Sequence, residues 1–410
     1  MLSRCISIDP QEFARTHWGG SPLLSRSDAL PRGFDDLLSA AAVDELLAER
    51  GVRAPFIRVA KEGGVVAKDG YLAPAGFGAE MPDQVDSAKV LAQFAAGATI
   101  VLQGLHRLWP PVIDFVRGMV DDLGHPVQAN AYVTPPQNRG FDPHYDVHDV
   151  FVLQTTGHKH WTVHEPVHLD PLADQPWTDH RAAVAERAKD DPVIDTVLGP
   201  GDALYLPRGW IHSAQAMGGV SIHLTIGVAA MTGIDVVRAL VDQLADAADL
   251  RRSLPMGMNA TDRDEMTATA TKVIAQLAAT LRDGPPGLDE GVAARLTRQY
   301  AQRTRPVAVR PLASLDAAAG VDAVSVRWRH GLIASVERDA GKVRLRLTDR
   351  AITFPESCAD ALAALHRGAT LGAADLPGLD AADGEVVLRR LLREAVVVPV
   401  VDERVATAGE

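Results

Sequence analysis

The apolar positions of this chain change their spacing twice, and each change marks a different kind of structure. In the first 125 residues they recur every three or four positions, in short bursts. Pro10 to Trp18 predicts a short helix with Phe13, His17 and Trp18 along one apolar edge, stopped by Gly19, Gly20 and Pro22. Ala41 to Glu49, Ser87 to Ala96 and Leu108 to Leu123 predict further helices. Gly51 to Ala60 (GVRAPFIRVA) reads as a strand, and Thr99 to Leu102 as a short apolar run between the last two helices.

From Pro126 the spacing becomes two. The segments VQANAYVTP, HDVFVLQTT, KHWTVHEP, DALYLP and SIHLTIGV are rich in Val, Ile, Tyr and Thr and are separated by Gly, Pro and Asp. This pattern predicts short antiparallel strands in a sandwich or barrel, with the polar stretch Asp170 to Lys189 as a loop or short helix across it. After Ala230 helical spacing returns. Val236, Val237, Leu240, Val241 and Leu244 mark a helix within Ile234 to Leu250, and Val273, Ile274, Leu277 and Leu281 mark another, before Pro285 and Pro286. From Pro306 the strand-like pieces VSVRW, KVRLRLTD and VVVPVV alternate with helices near Cys358 to His366 and Gly384 to Glu394, which predicts a small α+β domain of winged-helix character. The pattern divides the chain at about 1–230, 231–305 and 306–410.

Composition narrows the function classes. A chain of 410 residues with 47% hydrophobic and 23% charged positions is of ordinary globular make-up, and too long for one typical core. The 53 acidic side chains outnumber the 41 basic ones, giving a formal charge of -12. That excludes a general basic footprint for nucleic acid and favours a basic partner. With only Cys5 and Cys358, neither a disulfide framework nor a cysteine-ligated zinc or iron–sulfur site is available, which suits a reducing cytoplasm. No signal-length or membrane-spanning apolar stretch is present, so a soluble, unanchored cytoplasmic protein is expected.

Nine of the 14 histidines fall between His144 and His223, a fifth of the chain. They lie on the strand-rich segment, where side chains two apart share a face. The phrase FDPHYD therefore sets His144 beside Asp146, and His212 in LPRGWIHSA is the best third donor. Two imidazoles and one carboxylate on one face of an octahedral ion are the ligand set of non-haem Fe(II) oxygenases, and they leave positions open for a chelating 2-oxo acid and for dioxygen. A bare H-x-D is common, and the context adds weight. Lys159 stands amid Leu153, Trp161 and Val163, where a buried charge needs compensation that an anionic ligand would supply. The distal carboxylate of 2-oxoglutarate is such a ligand, and Tyr132 and Thr225, which taken alone read as ordinary strand positions, could donate hydroxyl hydrogen bonds to it. Of the other histidines, His148 is expected as a plain polar position, with a place beside the site as the alternative, His158 and His160 on the outer surface, His164, His168 and His180 solvated near turns, and His223 as a satisfied core residue.

The runs NAYVTPPQNRGFDPHYDVHDVFVLQTTGHKHWTVHEP and GDALYLPRGWIHSAQAMGGVSIHLTIG, within Asn130 to Gly227, resemble the JmjC-type cupin 2-oxoglutarate oxygenases, specifically the ribosomal oxygenase branch. FARTHWGGSPLL and GATIVLQGLHRLWPP resemble the branch's N-terminal and pre-barrel segments. The resemblance implies a mainly β fold with α, a double-stranded β-helix core, helical dimerisation elements over 231–305 and a C-terminal winged-helix-like domain. It implies His144, Asp146 and His212 as Fe(II) ligands, Lys159, Tyr132 and Thr225 as partners of the 2-oxoglutarate carboxylate, and Asn130 near the iron or the substrate. The implied reaction is hydroxylation of Arg or His in a ribosomal or other basic protein by a homodimer, with no direct nucleic-acid or membrane partner.

Two other classes stay open at this stage. One is a binding protein whose cupin core senses metal or metabolite. The other is a cupin enzyme using a different metal without a 2-oxo acid. A peptide or small-molecule substrate also remains compatible with the oxygenase reading.

Overall fold

Two long antiparallel strands organise the first of two units, Met1–Met231 and Thr232–Glu410, in this computed structural model, which describes residues 1–400 other than 62, 79, 137, 139, 140, 246–249, 285 and 286. In chain order the strands of the first unit are β1 (Leu23–Ser25), β2 (Ile57–Lys61), β3 (Gly64–Val65), β4 (Leu72–Ala73), β5 (Gln84–Val85), β6 (Thr99–Leu102), β7 (Val127–Thr134), β8 (Asp149–His164), β9 (Ile194–Leu198), β10 (Ala203–Leu206) and β11 (Ile211–Val228). Among the described residues nine of these form one sheet in the order β1-β10-β8-β11-β7-β6-β2-β3, with β9 also on β8, while β4 and β5 pair separately. The result is the mainly antiparallel β core that the period-two pattern predicts.

Where the sequence pattern separates HDVFVLQTT from KHWTVHEP, the structure joins them as β8. The first half of β8 pairs with β10 and with the far end of β11, and its second half pairs with β9 and the start of β11. Gly157, at φ +66, bends the strand without ending it. A Cβ there would lie 2.1 Å from the Val220 carbonyl oxygen, so only glycine admits this approach. On β11 the register shifts between Met217 and Ile222, so Gly218 and Gly219 also lie inside a continuous strand.

The helices of this unit are α1 (Pro10–Thr16), α2 (Ala40–Ala48), α3 (Ser87–Ala95), α4 (Pro110–Leu123) and α5 (Arg181–Arg187). Helix α1 starts at Asp9, whose carboxylate accepts the N–H of Gln11 and Glu12. Its buried Phe13 stands edge-on to Tyr205 at 4.9 Å, and Tyr205 lies 4.8 Å from Phe151 of β8. This aromatic cluster covers one face of the β8–β10 pair and leaves the other face to line the site. The strand expected over Gly51 to Ala60 is confined to β2, because Pro55 has no N–H to give to a ladder.

The second unit holds α6 (Gly233–Leu244), α7 (Arg263–Asp283), α8 (Leu288–Thr304), α9 (Pro311–Ala319), α10 (Ala359–His366) and α11 (Ala381–Arg393), with β12 (Val326–Trp328), β13 (Ala334–Asp339), β14 (Lys342–Leu347), β15 (Ala351–Pro355) and β16 (Val397–Pro399). β13, β14 and β15 form an antiparallel sheet, and β12 pairs with β16. Leu345, Phe354, Leu362, Leu388 and Leu391 are among the residues that close a small α+β core. Helix α8 escaped the sequence reading because only Val292 of its 17 residues is buried, so it shows no apolar stripe. Pro285, Pro286 and residues 246–249, near the expected helix ends, lie outside the described residues. Among the described residues no helix is long and apolar enough to cross a membrane.

Candidate metal centre

The loop that leads into β8 and the first residues of β11 are stitched together by their backbones. His144 N–H donates to the His212 carbonyl at 3.2 Å and His212 N–H to the His144 carbonyl at 2.8 Å, while Gly209 N–H donates to the Asp146 carbonyl at 3.0 Å. Gly209 adopts φ +87, and a Cβ there would sit 2.6 Å from the His168 carbonyl oxygen, which explains the glycine in LPRGWIH. Asp149 Oδ1 accepts Arg208 N–H at 2.8 Å and fixes the same turn. Tyr145 is buried with Val184 and Ile211, and its hydroxyl donates to the Gln175 carbonyl. With Tyr145 anchored below, alternation sends His144 and Asp146 to the other side.

His144, Asp146 and His212 each bring one ligand atom within 4.8 Å of the other two, the one such group among the described residues. His144 Nδ1 is 2.7 Å from the Asp142 carbonyl oxygen, and His212 Nδ1 is 3.0 Å from that of Trp210. A carbonyl only accepts, so both Nδ1 atoms carry the hydrogen, and both Nε2 lone pairs remain for a metal. Burial and the neighbouring His144 pull His212 down to about 4, so it is a neutral imidazole at neutral pH. Burial pushes the Asp146 carboxyl up, but His148, His212 and His144 outweigh it and hold the group below the ordinary carboxylate range. His212 Nε2 and Asp146 Oδ2 lie 3.8 Å apart, beyond hydrogen-bond distance, as donors facing a common centre do. Two neutral nitrogens and one carboxylate fit Fe(II).

The same cavity is lined by Tyr132, Phe141, Val150, Val152, Lys159, Trp161, Ser213, Ala214, His223 and Thr225. Lys159 is 4% exposed, with Nζ 3.2 Å from Thr134 Oγ1 and 5.9 Å from the Trp161 ring centre. Among the described residues no carboxylate pairs with it, and burial lowers its ammonium from 10.5 to about 7. An unpaired buried amine in a cavity with a ferrous ligand set fits the distal carboxylate of a 2-oxo diacid. Burial, reinforced by Asp146 and opposed by Arg58, pushes the Tyr132 hydroxyl up to about 12, so it remains an O–H donor.

The structure thus gathers His144, Asp146, His212, Lys159, Tyr132 and Thr225 around one cavity. Asn130 shares a strand face with Tyr132 and stands opposite Thr225, but it is not a lining residue, and its Oδ1 accepts the N–H of Gly104 at 3.0 Å. Thr134 escaped the sequence reading although it lies two residues from Tyr132, on the same face. His223 stacks on Tyr132 with ring centres 5.0 Å apart, and burial, then Lys159, lower its pKa well below the usual value. His164, expected to be solvated, is 5% exposed, because β8 continues to that residue instead of turning before it. His158 is exposed, His160 pairs with Asp195, and His168 stacks on His180.

Residues 113–236 match the JmjC domain, so the chain carries a JmjC domain. Within that class it is similar to Ribosomal oxygenase 1 of Rattus norvegicus, 31% identical over 264 residues, covering 61% of this chain and 43% of the relative. It is also 28% identical over 261 residues to the Bifunctional lysine-specific demethylase and histidyl-hydroxylase NO66 of Aedes aegypti, covering 61% of this chain and 38% of the relative. The chain spans less than half the length of these relatives. Its fold is similar to the Escherichia coli ribosomal oxygenase YcfD, with a TM-score of 0.54 at 18% identity, covering 96% of this chain and 99% of the other. A structure of YcfD with cobalt and 2-oxoglutarate matches at a TM-score of 0.53, with the same identity and coverage. These similarities bear out the resemblance to ribosomal oxygenases read from the motifs.

Proposed function

We propose that the chain is an Fe(II)- and 2-oxoglutarate-dependent oxygenase that hydroxylates a protein side chain, Arg or His of a ribosomal protein. The observation that carries this reading is Lys159, a buried amine with no acidic partner among the described residues, in the cavity of the His144–Asp146–His212 group. The named activity of the relatives and the cobalt and 2-oxoglutarate of the YcfD structure support it.

When bound, ferrous iron supplies the centre at which 2-oxoglutarate is oxidatively decarboxylated to succinate and carbon dioxide while one oxygen atom enters the substrate C–H bond. His144 and His212 would hold the metal through Nε2 and Asp146 through its carboxylate, each kept in place by the backbone bridges of the loop. Protonated Lys159 would pair with the distal carboxylate, with hydroxyl donors from Tyr132 and Thr225. Trp161, Val150 and Val152 keep the wall apolar, which strengthens that charge pairing. Asn130 would help order the cavity from the Gly104 side.

In this reading residues 1–230 form the catalytic domain, 231–305 the dimerisation helices and 306–410 a winged-helix-like partner-docking domain. Ile234, Val236, Val237 and Val241 of α6 are 37–54% exposed, as a homodimer seam would require. The formal charge of -12 favours encounter with a cationic ribosomal protein. The test is succinate formation with iron, 2-oxoglutarate and a ribosomal protein fraction, read beside a one-oxygen mass increase on Arg or His. Both signals should vanish in His144→Ala. Tight 2-oxoglutarate binding without decarboxylation in the presence of that fraction would replace the enzyme by a metabolite-sensing protein.

A further inference from the structure

His223 is expected from the sequence as a satisfied core residue, and the structure buries it without satisfying it. It is 3% exposed and lines the cavity of the metal centre. Among the described residues neither of its ring nitrogens has a hydrogen-bond partner, and Nδ1 is shut off from water altogether. A buried polar nitrogen left unpaired costs free energy until a ligand or a water completes it. The ring is held rigidly in its place. It stacks on Tyr132 with the two planes 2° from parallel, and it meets the Trp161 ring edge to face at 5.5 Å.

Cross-strand register brings this imidazole close to the Lys159 ammonium. On β7 and β11, Tyr132 is opposite His223 and Thr134 is opposite Ser221. Thr134 Oγ1 in turn lies 3.2 Å from Lys159 Nζ. Tyr132 and Thr134 are two residues apart on one face, so the imidazole and the ammonium are offset by about 7 Å along the strands. A carboxylate that accepts a hydrogen bond of about 2.8 Å at each oxygen closes a gap of that size. Burial, then Lys159, keep the imidazole neutral, so it carries a single N–H. A buried N–H without an acceptor is tolerated less than a buried lone pair, which puts the hydrogen on Nε2, the nitrogen open to the cavity.

We propose that His223 is a cosubstrate-binding residue: its Nε2–H donates to the distal carboxylate of 2-oxoglutarate from the side opposite Lys159, so that one cation and one neutral donor clamp the anion between them. The inference rests on the 2-oxoglutarate reading above. A carboxylate offers about four lone-pair sites, so the hydroxyls of Tyr132 and Thr225 keep their places beside this clamp. A 2-oxo acid without the distal carboxylate gains nothing from His223, and the residue therefore selects diacids over monoacids.

The test compares two ligands of the Mn(II)-loaded full-length protein: 2-oxoglutarate, and 2-oxopentanoate, which has the same chain length but a methyl group in place of the distal carboxylate. Binding is read from water-proton relaxation at the metal. His223→Phe keeps a flat ring against Tyr132 and removes both nitrogens. It should weaken 2-oxoglutarate binding by about tenfold, the loss of one hydrogen bond to a charged group, and leave the affinities for 2-oxopentanoate and for Mn(II) unchanged. Equal losses for the two acids would mark a packing role and overturn the proposal, as would an unchanged 2-oxoglutarate affinity. If His223→Phe fails to fold, as shown by circular dichroism, His223→Leu takes its place under the same criteria. Wild-type protein that binds Mn(II) but neither acid would refute the proposed function itself, an outcome distinct from a loss shared by both acids.

Discussion

Raising the pH from 7 to 9 should strip the proton from Lys159 in the free protein, because burial holds its ammonium at about 7 instead of 10.5. In the complex with 2-oxoglutarate a carboxylate would face the ammonium and return it toward the ordinary lysine range. Binding is then linked to proton uptake, and affinity falls as the pH rises. With a free-state value of about 7, Lys159 is about half protonated at pH 7 and about one hundredth protonated at pH 9, so the apparent affinity should drop by about 50-fold. At pH 8 the complex should take up about 0.9 proton per 2-oxoglutarate. Calorimetry on the Mn(II)-loaded protein in buffers of different ionisation enthalpy reads this number as a slope. Lys159→Met should bind weakly, with no pH dependence over the interval. A constant wild-type affinity between pH 7 and 9, with zero proton uptake, would refute the assignment of Lys159 as the anion's partner.

Two further outcomes test the scaffold. Gly157→Ala should destabilise the first unit by about 3 kcal/mol, since the left-handed backbone is strained for alanine and the new Cβ meets the Val220 carbonyl; an unchanged urea midpoint would contradict the bend. Asp202, where burial raises the carboxyl but the N–H groups of Gly199 and Ser27 and the Arg26 guanidinium outweigh it, has a folded pKa below the ordinary 3.8. Its stabilisation is therefore present above that value and lost as pH falls through the lower folded one. Asp202→Asn should cost about 2 kcal/mol in urea unfolding at pH 7, and the gap from wild type should narrow in acid; an equal gap at both pH values would sink this account.

The cavity residues were legible where strand alternation or charge burial constrains a side chain locally. His144 and Asp146 share a face by spacing alone, and Lys159 stands out as a cation in an apolar run. His212 was legible only as a histidine at a strand start after a Pro-Arg-Gly turn. Thr134 shares the face of Tyr132 by alternation, but the place of its hydroxyl against Lys159 depends on lateral register across β7, β11 and β8, which no single segment contains. The bends at Gly157 and at Gly218–Gly219 were misread for a similar reason: a glycine that ends a strand and one that curves it look alike until the partner strand is known. Helix α8 lacks the apolar face that periodicity detects. The existence of the β core was readable from Val, Ile and Thr at alternate positions, but its continuity was not.

The unbroken pairing of β8 with β11 has a consequence for chain-length discrimination. Val163 stands opposite His212 and Lys159 opposite Ala216, so the metal-side histidine and the ammonium are anchored four residues apart on one ladder, about 13 Å of strand. No hinge interrupts the ladder over that stretch, so the two anchors keep a fixed spacing. On the 2-oxoglutarate reading, the shorter gap left between the two side-chain ends would then suit one chain length, with oxaloacetate one methylene short and 2-oxoadipate one too long.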